Sequence, residues 1–130
     1  MWTRQEIRAA GQPEPLSHYT DAVRVGNLLF VSGCVPVDEH GRLVGGDDVV
    51  AQARQAFANV RAVLEAGGSS FAEVAKVTVF LTDVDDRPKI NPVRREFFGS
   101  VRPASTLVEV NRLAVPGAKI EVEAVAVVRA

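Results

Sequence analysis

The sequence predicts an α+β domain in which one mixed β-sheet carries two helices on one of its faces. Three observations lead to this fold class. β-Prone runs alternate with two helically periodic segments, the 47% hydrophobic content of 130 residues can form a core without disulfides, and the last strand is apolar on both faces. We therefore treat residues 1–130 as a single domain. Residues 1–18 are predicted to form an irregular N-terminal arm, because Gly11, Pro13 and Pro15 interrupt any period.

The first predicted elements are short strands. Two β-prone runs, 23–25 and 28–31, flank a Gly-Asn dipeptide, a pattern that predicts a hairpin with a two-residue turn. Residues 35–44 predict a shorter pair at the edge of the sheet, since Pro36 cannot donate a ladder hydrogen bond.

The first helix is predicted to begin at the capping residue Asp47 and to end at Gly67. Its apolar residues recur at the spacing of one helix face, namely Val49, Ala53, Phe57, Val60 and Leu64. Ser70 and Glu73 then have the spacing of a capping box, and the β-branched run 74–81 predicts a strand.

The second helix is predicted to open in the acidic run 83–86 and to end at Gly99. Its inward face would carry Ile90, Val93 and Phe97. Two strands, 106–110 and 119–128, complete the predicted sheet.

The last strand predicts an oligomer. Its residues alternate between the two faces of the sheet, yet Val125 and Val127 make the second face apolar as well. Two helices cover only one face, so the other face is either the inside of a curled sheet or an oligomer interface, and we favour the oligomer. Glu121 and Glu123 lie on that second face, where a carboxylate serves either an intersubunit salt bridge or catalysis, and spacing alone does not decide between them.

Composition narrows the classes of partner and compartment. A formal net charge of −1 disfavours a nucleic-acid partner, and no segment reaches the length of a membrane span. The single cysteine, Cys34, offers no disulfide framework and suggests a reducing, cytoplasmic location. No metal site is predicted, because His18, His40 and Cys34 lack ligand spacing, and no phosphate-binding loop is present.

Several segments, spread over the chain from about Leu16 onward, together match one known family. They are Pro15-Leu16-Ser17-His18-Tyr19, Leu29-Phe30-Val31-Ser32-Gly33, Ala51-Gln52-Ala53-Arg54-Gln55-Ala56, Lys76-Val77-Thr78-Val79-Phe80-Leu81, Asn91 ahead of Phe97-Phe98, Arg102-Pro103-Ala104 and Ile120-Glu121-Val122-Glu123-Ala124. On these residues the chain resembles the RidA/YjgF family of reactive-intermediate deaminases.

The resemblance implies a chorismate-mutase-like fold, assembled as a homotrimer whose sheets line an inner barrel, with active sites between subunits. It also implies hydrolysis of an enamine or imine without metal or cofactor, giving a carbonyl compound and ammonia. Carried over by motif, Glu121 activates water and Tyr19 is the second catalytic residue. Ser32, Gly33 and Asn91 would bind the small-molecule substrate.

One position departs from the family pattern. Where the family places an Arg that binds the substrate carboxylate, this chain has Ser105, followed by Thr106, and both are assigned to ligand binding. Losing a charge-assisted hydrogen bond costs roughly tenfold to hundredfold in affinity, so we expect a substrate other than the usual 2-aminoacrylate. Arg102 or Arg112 would have to reach the pocket to replace the missing guanidinium.

Cys34 is a further candidate, since relatives more often carry a polar residue there. No nearby basic group lowers its pKa in the sequence, so a packing role is the simpler interpretation.

Three functions follow from these observations. The first is a cofactor-free hydrolase or deaminase acting on an imine, enamine or related activated carbonyl compound. The second is a non-catalytic trimer that binds a small molecule or modulates a partner. The third, a ribonuclease or translation inhibitor, is disfavoured by the balanced charge.

Overall fold

The computed structural model describes residues 2–129 and shows an α+β fold, as predicted. The strands are β1 (Arg4–Ile7), β2 (Ala22–Val25), β3 (Leu28–Cys34), β4 (Val74–Leu81), β5 (Ala104–Glu109) and β6 (Ile120–Val127), and the helices are α1 (Val49–Ala66) and α2 (Arg87–Phe98). The sheet order is β1-β2-β3-β6-β4-β5, and the sheet is mixed because β4 and β5 are parallel while the other neighbours are antiparallel.

The N-terminal arm contains a strand, so its prediction as irregular over residues 1–18 is wrong for Arg4–Ile7. This segment pairs antiparallel with β2 and covers an edge that the hairpin alone would leave unpaired. Asp21 stabilises the segment that follows β1, because its carboxylate accepts hydrogen bonds from the Arg8 guanidinium at 2.6 Å and from the Ala9 amide at 2.9 Å. Tertiary pairing thus overrides a weak local pattern.

The first helix has the predicted inward face, with all five of its periodic apolar residues buried. Its N-cap is Asp48 rather than Asp47, and the Asp48 carboxylate accepts from the Val50 amide at 2.9 Å. The predicted capping box is absent, because the Ser70 side chain makes no capping hydrogen bond to the 3₁₀ turn Phe71–Glu73.

The other local predictions hold with small changes. The hairpin of β2 and β3 forms, whereas the edge pair within 35–44 is reduced to a single bridge between Val37 and Leu43. A 3₁₀ turn (Val84–Asp86) capped by Asp83 precedes α2, whose inward residues Ile90 and Val93 are fully buried.

The two faces of the sheet differ sharply. One face packs against both helices in a continuous core that includes Ile120, Val122, Ala124 and Ala126 of β6. On the other face Phe30 is 45% exposed and Leu28 is 38% exposed, and they pair across the sheet with Val125 and Val127. This open apolar face is the one from which the sequence predicts a subunit interface. Within residues 2–129, neither helix is long and apolar enough to cross a membrane.

Two buried amides of α1 tie loops to the helix. The Gln52 amide nitrogen donates to the carbonyls of Gly46 at 2.6 Å and Gly117 at 3.0 Å, and its oxygen accepts from the Lys119 amide at 2.7 Å. Asn59 donates to the carbonyls of Val35 and Val37, each at 2.9 Å. Gln52 therefore joins the start of α1 to the loop that leads into β6.

Replacing Gln52 with Leu should destabilise the protein strongly. Its three backbone partners would lose hydrogen bonds at a fully buried position, and each buried unsatisfied group costs about 1–3 kcal/mol. Urea unfolding followed by circular dichroism measures the change. The matched control is Gln55→Leu on the same helix, where the side chain is only half-buried; an equal loss in both variants would contradict the role given to Gln52.

Candidate functional site

A cleft of about 310 Å³ on the open side of the sheet gathers four of the predicted site residues. Tyr19 comes from the loop before β2, Ser32 and Gly33 from β3, and Glu121 from β6. The remaining walls belong to Leu16, Ser17, Val35, Ala114 and Val115. These residues lie far apart in the sequence, and the pairing of β3 with β6 brings them together.

Glu121 is the one ionisable carboxylate in this cleft. Its side chain is half-buried, and burial raises the pKa of the carboxyl above its ordinary value, with the nearby Glu123 charge adding to the shift. Among the described residues no side chain forms an ion pair or hydrogen bond with the Glu121 carboxylate. An unpaired carboxylate with a raised pKa can take a proton from a ligand or from water.

Gly33 makes room for Glu121. The pairing of β3 with β6 shifts register between Val31 and Cys34, so Gly33 lies in an irregular segment beneath the carboxylate. A β-carbon at Gly33 would overlap the Glu121 carboxylate, approaching its Cδ to 2.8 Å. Glycine therefore lets the Glu121 carboxylate lie here without being displaced, and the constraint comes from close approach rather than from backbone angle.

Tyr19 and Ser32 are held by hydrogen bonds to nearby backbone. The Tyr19 hydroxyl accepts from the Leu16 amide at 3.2 Å, which leaves the phenolic proton free to donate. The Ser32 hydroxyl donates to the Thr20 carbonyl at 2.6 Å, so its oxygen remains an acceptor. The cleft thus presents a donor, an acceptor and a proton-accepting carboxylate.

Cys34 lines a different cavity from Glu121. It is buried and lines a smaller inner cavity of about 60 Å³, which shares Tyr19, Ser32 and Gly33 with the outer cleft. Burial raises the pKa of the thiol to about 12, with smaller contributions from the Asp21 and Glu121 charges. A neutral buried thiol fits packing better than nucleophilic chemistry.

The other predicted residues lie elsewhere. Asn91 and Arg102 line a second cleft between the end of α2 and the loop before β5, and the Ser105 hydroxyl lies nearby, bonded to Arg94 of α2 at 2.9 Å. Thr106 does not line this second cleft. Its hydroxyl accepts a hydrogen bond from the Lys76 ammonium at 2.6 Å. Arg112 lines neither cleft and belongs to the loop 112–118.

Glu121, in the first cleft, and Ser105, beside the second cleft, lie on opposite faces of the sheet. Ser105 is paired with Val77, which is buried against the helices, whereas Glu121 is paired with Phe80 on the open face. One chain therefore does not bring all the predicted residues together.

Sequence reasoning missed Arg94. Its signal is its position three residues after Asn91, which places both on one helix face.

No group of three or more potential metal ligands occurs between residues 2 and 129.

Comparison with known proteins gives the family. The family model described as Endoribonuclease L-PSP matches residues 9–128. RutC family protein PH0854 of Pyrococcus horikoshii is 42% identical, over 95% of this chain and 97% of that protein. A 2-iminobutanoate/2-iminopropanoate deaminase of Salmonella typhimurium is 38% identical over 95% of this chain and 97% of its own length.

A solved structure, the YjgF gene product of E. coli, agrees with a TM-score of 0.88 at 37% identity, covering 96% of this chain and 99% of that one. The chain therefore belongs to the RidA/YjgF family, as the sequence predicts.

The native Cys34 thiol should resist modification. At pH 8 a pKa near 12 leaves roughly a thousandth of the thiolate of an ordinary thiol, and burial blocks access as well. Reaction with a chromogenic disulfide reagent, before and after unfolding in urea, measures this. A Cys34→Ala, Ser70→Cys protein provides an exposed control, and equal native rates for the two thiols would contradict the assignment.

Proposed function

We propose that the protein is a cofactor-free hydrolase that converts an imine or enamine to a carbonyl compound and ammonia. The observation that carries the proposal is the unpaired Glu121 carboxylate with its raised pKa, lying over Gly33 in a cleft that also holds Tyr19 and Ser32. Two relatives, named as deaminases of 2-iminobutanoate/2-iminopropanoate and of 3-aminoacrylate, support the same reaction class.

The reaction needs one base and a path for two protons. Glu121 takes a proton from water as the water oxygen bonds to the imine carbon, and the C=N electron pair moves to nitrogen, which gains a proton. The carbinolamine then passes its hydroxyl proton through Glu121 to the nitrogen, the C–N bond breaks, and the carbonyl compound and ammonia are released. An enamine first becomes the imine by gaining a proton at carbon and losing one from nitrogen.

Tyr19 and Ser32 orient the nitrogen and oxygen of the intermediate. The Ser32 oxygen can accept an N–H of the substrate, because its own proton is engaged by the Thr20 carbonyl. The free Tyr19 proton can donate to the attacking or departing heteroatom.

We further propose that the protein works as a homotrimer in the cytoplasm, with the open apolar face covered by other subunits. The exposed Phe30 and Leu28 support burial of this face in an assembly. The separation of Glu121 from Ser105 on opposite faces supports a site completed by a second copy.

A non-catalytic binding protein is the second candidate, favoured by the absence of an Arg at position 105. In that case small carbonyl compounds would raise the Tm with no turnover of any imine.

Glu121→Gln should reduce kcat on imines by a hundredfold or more, in the range expected when a general base is removed, roughly 10²–10⁴. Ammonia release from imines generated in situ measures turnover, with sedimentation confirming an unchanged assembly. The same variant should show a higher Tm at pH 7, because it removes a carboxylate whose burial opposes ionisation. Full activity in the variant would exclude Glu121 as the base.

The pH profile should report the Glu121 carboxyl. Since the base must be ionised, kcat/KM should rise with pH through a pKa above the ordinary value of 4.5. Glu123→Gln should move this limb to lower pH, because the like charge of Glu123 contributes to the raised pKa, while burial keeps it above the ordinary value. An unchanged limb in Glu123→Gln would contradict the assignment.

Sedimentation equilibrium should give three times the chain mass of 14.0 kDa. Phe30→Glu places a charge in the centre of the open apolar face and should dissociate the assembly, whereas the control Arg42→Glu changes an exposed residue of the 38–44 turn. A monomeric wild-type protein would refute the proposed assembly.

A further inference from the structure

The second cleft is unusually basic. It has a volume of about 590 Å³, lies beside the C-terminal half of α2, and is lined by the side chains of Arg94, Arg95, Arg102, Asn91 and Ser100. No Asp or Glu lines it. Three guanidinium groups around one cleft repel each other unless an anion lies between them.

Arg94 is the best placed of the three. It is half-buried, whereas Arg95 and Arg102 are exposed. Its Nη2 donates to the Ser105 hydroxyl at 2.9 Å, a neutral partner that engages one of five guanidinium donors. Burial lowers the pKa of the Arg94 guanidinium, which stays charged at neutral pH because an arginine begins so far above it.

The acidic residue nearest in sequence does not neutralise Arg94. Glu96, two residues later on α2, pairs instead with Arg54 of α1, with Nη2 to Oε1 at 2.8 Å and Nε to Oε2 at 3.2 Å. Between residues 2 and 129 the ion pairs within 4.0 Å include no carboxylate on Arg94, Arg95 or Arg102. A half-buried guanidinium that makes one neutral hydrogen bond and has free donors is suited to bidentate binding of an external carboxylate.

We infer that Arg94, positioned by Ser105, binds the carboxylate of an anionic imine substrate. This inference rests on the proposed function and specifies its substrate class. Because the basic cleft and Glu121 lie on opposite faces of the sheet, the Arg94 of one copy would serve the Glu121 of another.

In this site Ser105 positions an arginine and does not itself bind the substrate carboxylate. Its hydroxyl is a poor substitute for a guanidinium, and the sequence therefore suggests a substrate other than 2-aminoacrylate. In the structure the same hydroxyl holds a guanidinium delivered from α2 rather than from β5. The positive charge is therefore present, but it belongs to residue 94 of α2 instead of residue 105 of β5.

The test compares two substrates that differ in one group. In 2-iminopropanoate a carboxylate replaces one methyl group of propan-2-imine, and both hydrolyse to a ketone and ammonia. For Arg94→Gln we expect KM for 2-iminopropanoate to rise roughly ten- to hundredfold, the range of one charge-assisted hydrogen bond. We expect kcat to stay within about twofold and propan-2-imine kinetics to be unchanged.

Three further variants separate charge from structure. Arg94→Lys keeps the charge without the planar fork and should recover part of the loss. Ser105→Ala frees the guanidinium and should raise KM less than Arg94→Gln does. Arg87→Gln makes the same change at an exposed position at the start of α2, outside the cleft, and should match the wild type. Circular dichroism and sedimentation establish that each variant folds and assembles.

The outcomes distinguish this inference from the proposed function. If imines turn over but Arg94→Gln leaves KM unchanged, or weakens both substrates equally, the Arg94 assignment is wrong while the hydrolase stands. If no imine turns over, titration with pyruvate still decides: binding that Arg94→Gln abolishes and Arg87→Gln retains supports the carboxylate site, and its absence overturns it. Loss of RNA binding in Arg94→Gln without loss of pyruvate binding would also overturn it.

Discussion

The alternation of side chains along β6 is the constraint on which the rest of this structure depends. Ile120, Val122, Ala124 and Ala126 enter the core beneath both helices, so the register of the central strand cannot slip without exposing them. That same register holds Glu121 on the opposite face, between β3 and β4. A residue placed by a packed strand has little freedom, which is how a carboxylate can be kept half-buried and unpaired beside Gly33.

Polar groups divide into those that stabilise the fold and those that remain available for a ligand. In the described part of the chain, every fully buried side-chain nitrogen and oxygen has a hydrogen-bond partner. The amides of Gln52 and Asn59, for example, donate to backbone carbonyls of neighbouring loops. Glu121 and Arg94 are different, because each is half-buried, charged and without an opposite charge. Leaving a charge desolvated and unpaired lowers stability, so such groups concentrate at sites where a ligand supplies the missing partner.

Membership of the RidA/YjgF family fits the architecture of the chain. Within that architecture, α2 and β5 are neighbours through the contact of Arg94 with Ser105. A guanidinium can therefore reach the same place from the helix or from the strand. In the proposed site, Arg94 of α2 supplies the guanidinium that position 105 of β5 lacks.

The fold class, the hairpin, both helices and the candidates around Glu121 could be predicted from the sequence, because these depend on local periodicity, turn residues and matched motifs. The sequence could not show that Arg4–Ile7 is a strand, since an edge segment forms only when β2 offers hydrogen bonds. Nor could it show that Arg94 meets Ser105, eleven residues away, while Asn91 and Glu121 lie in different clefts. Those relations depend on helix packing and strand register, which arise from contacts between residues far apart in the sequence.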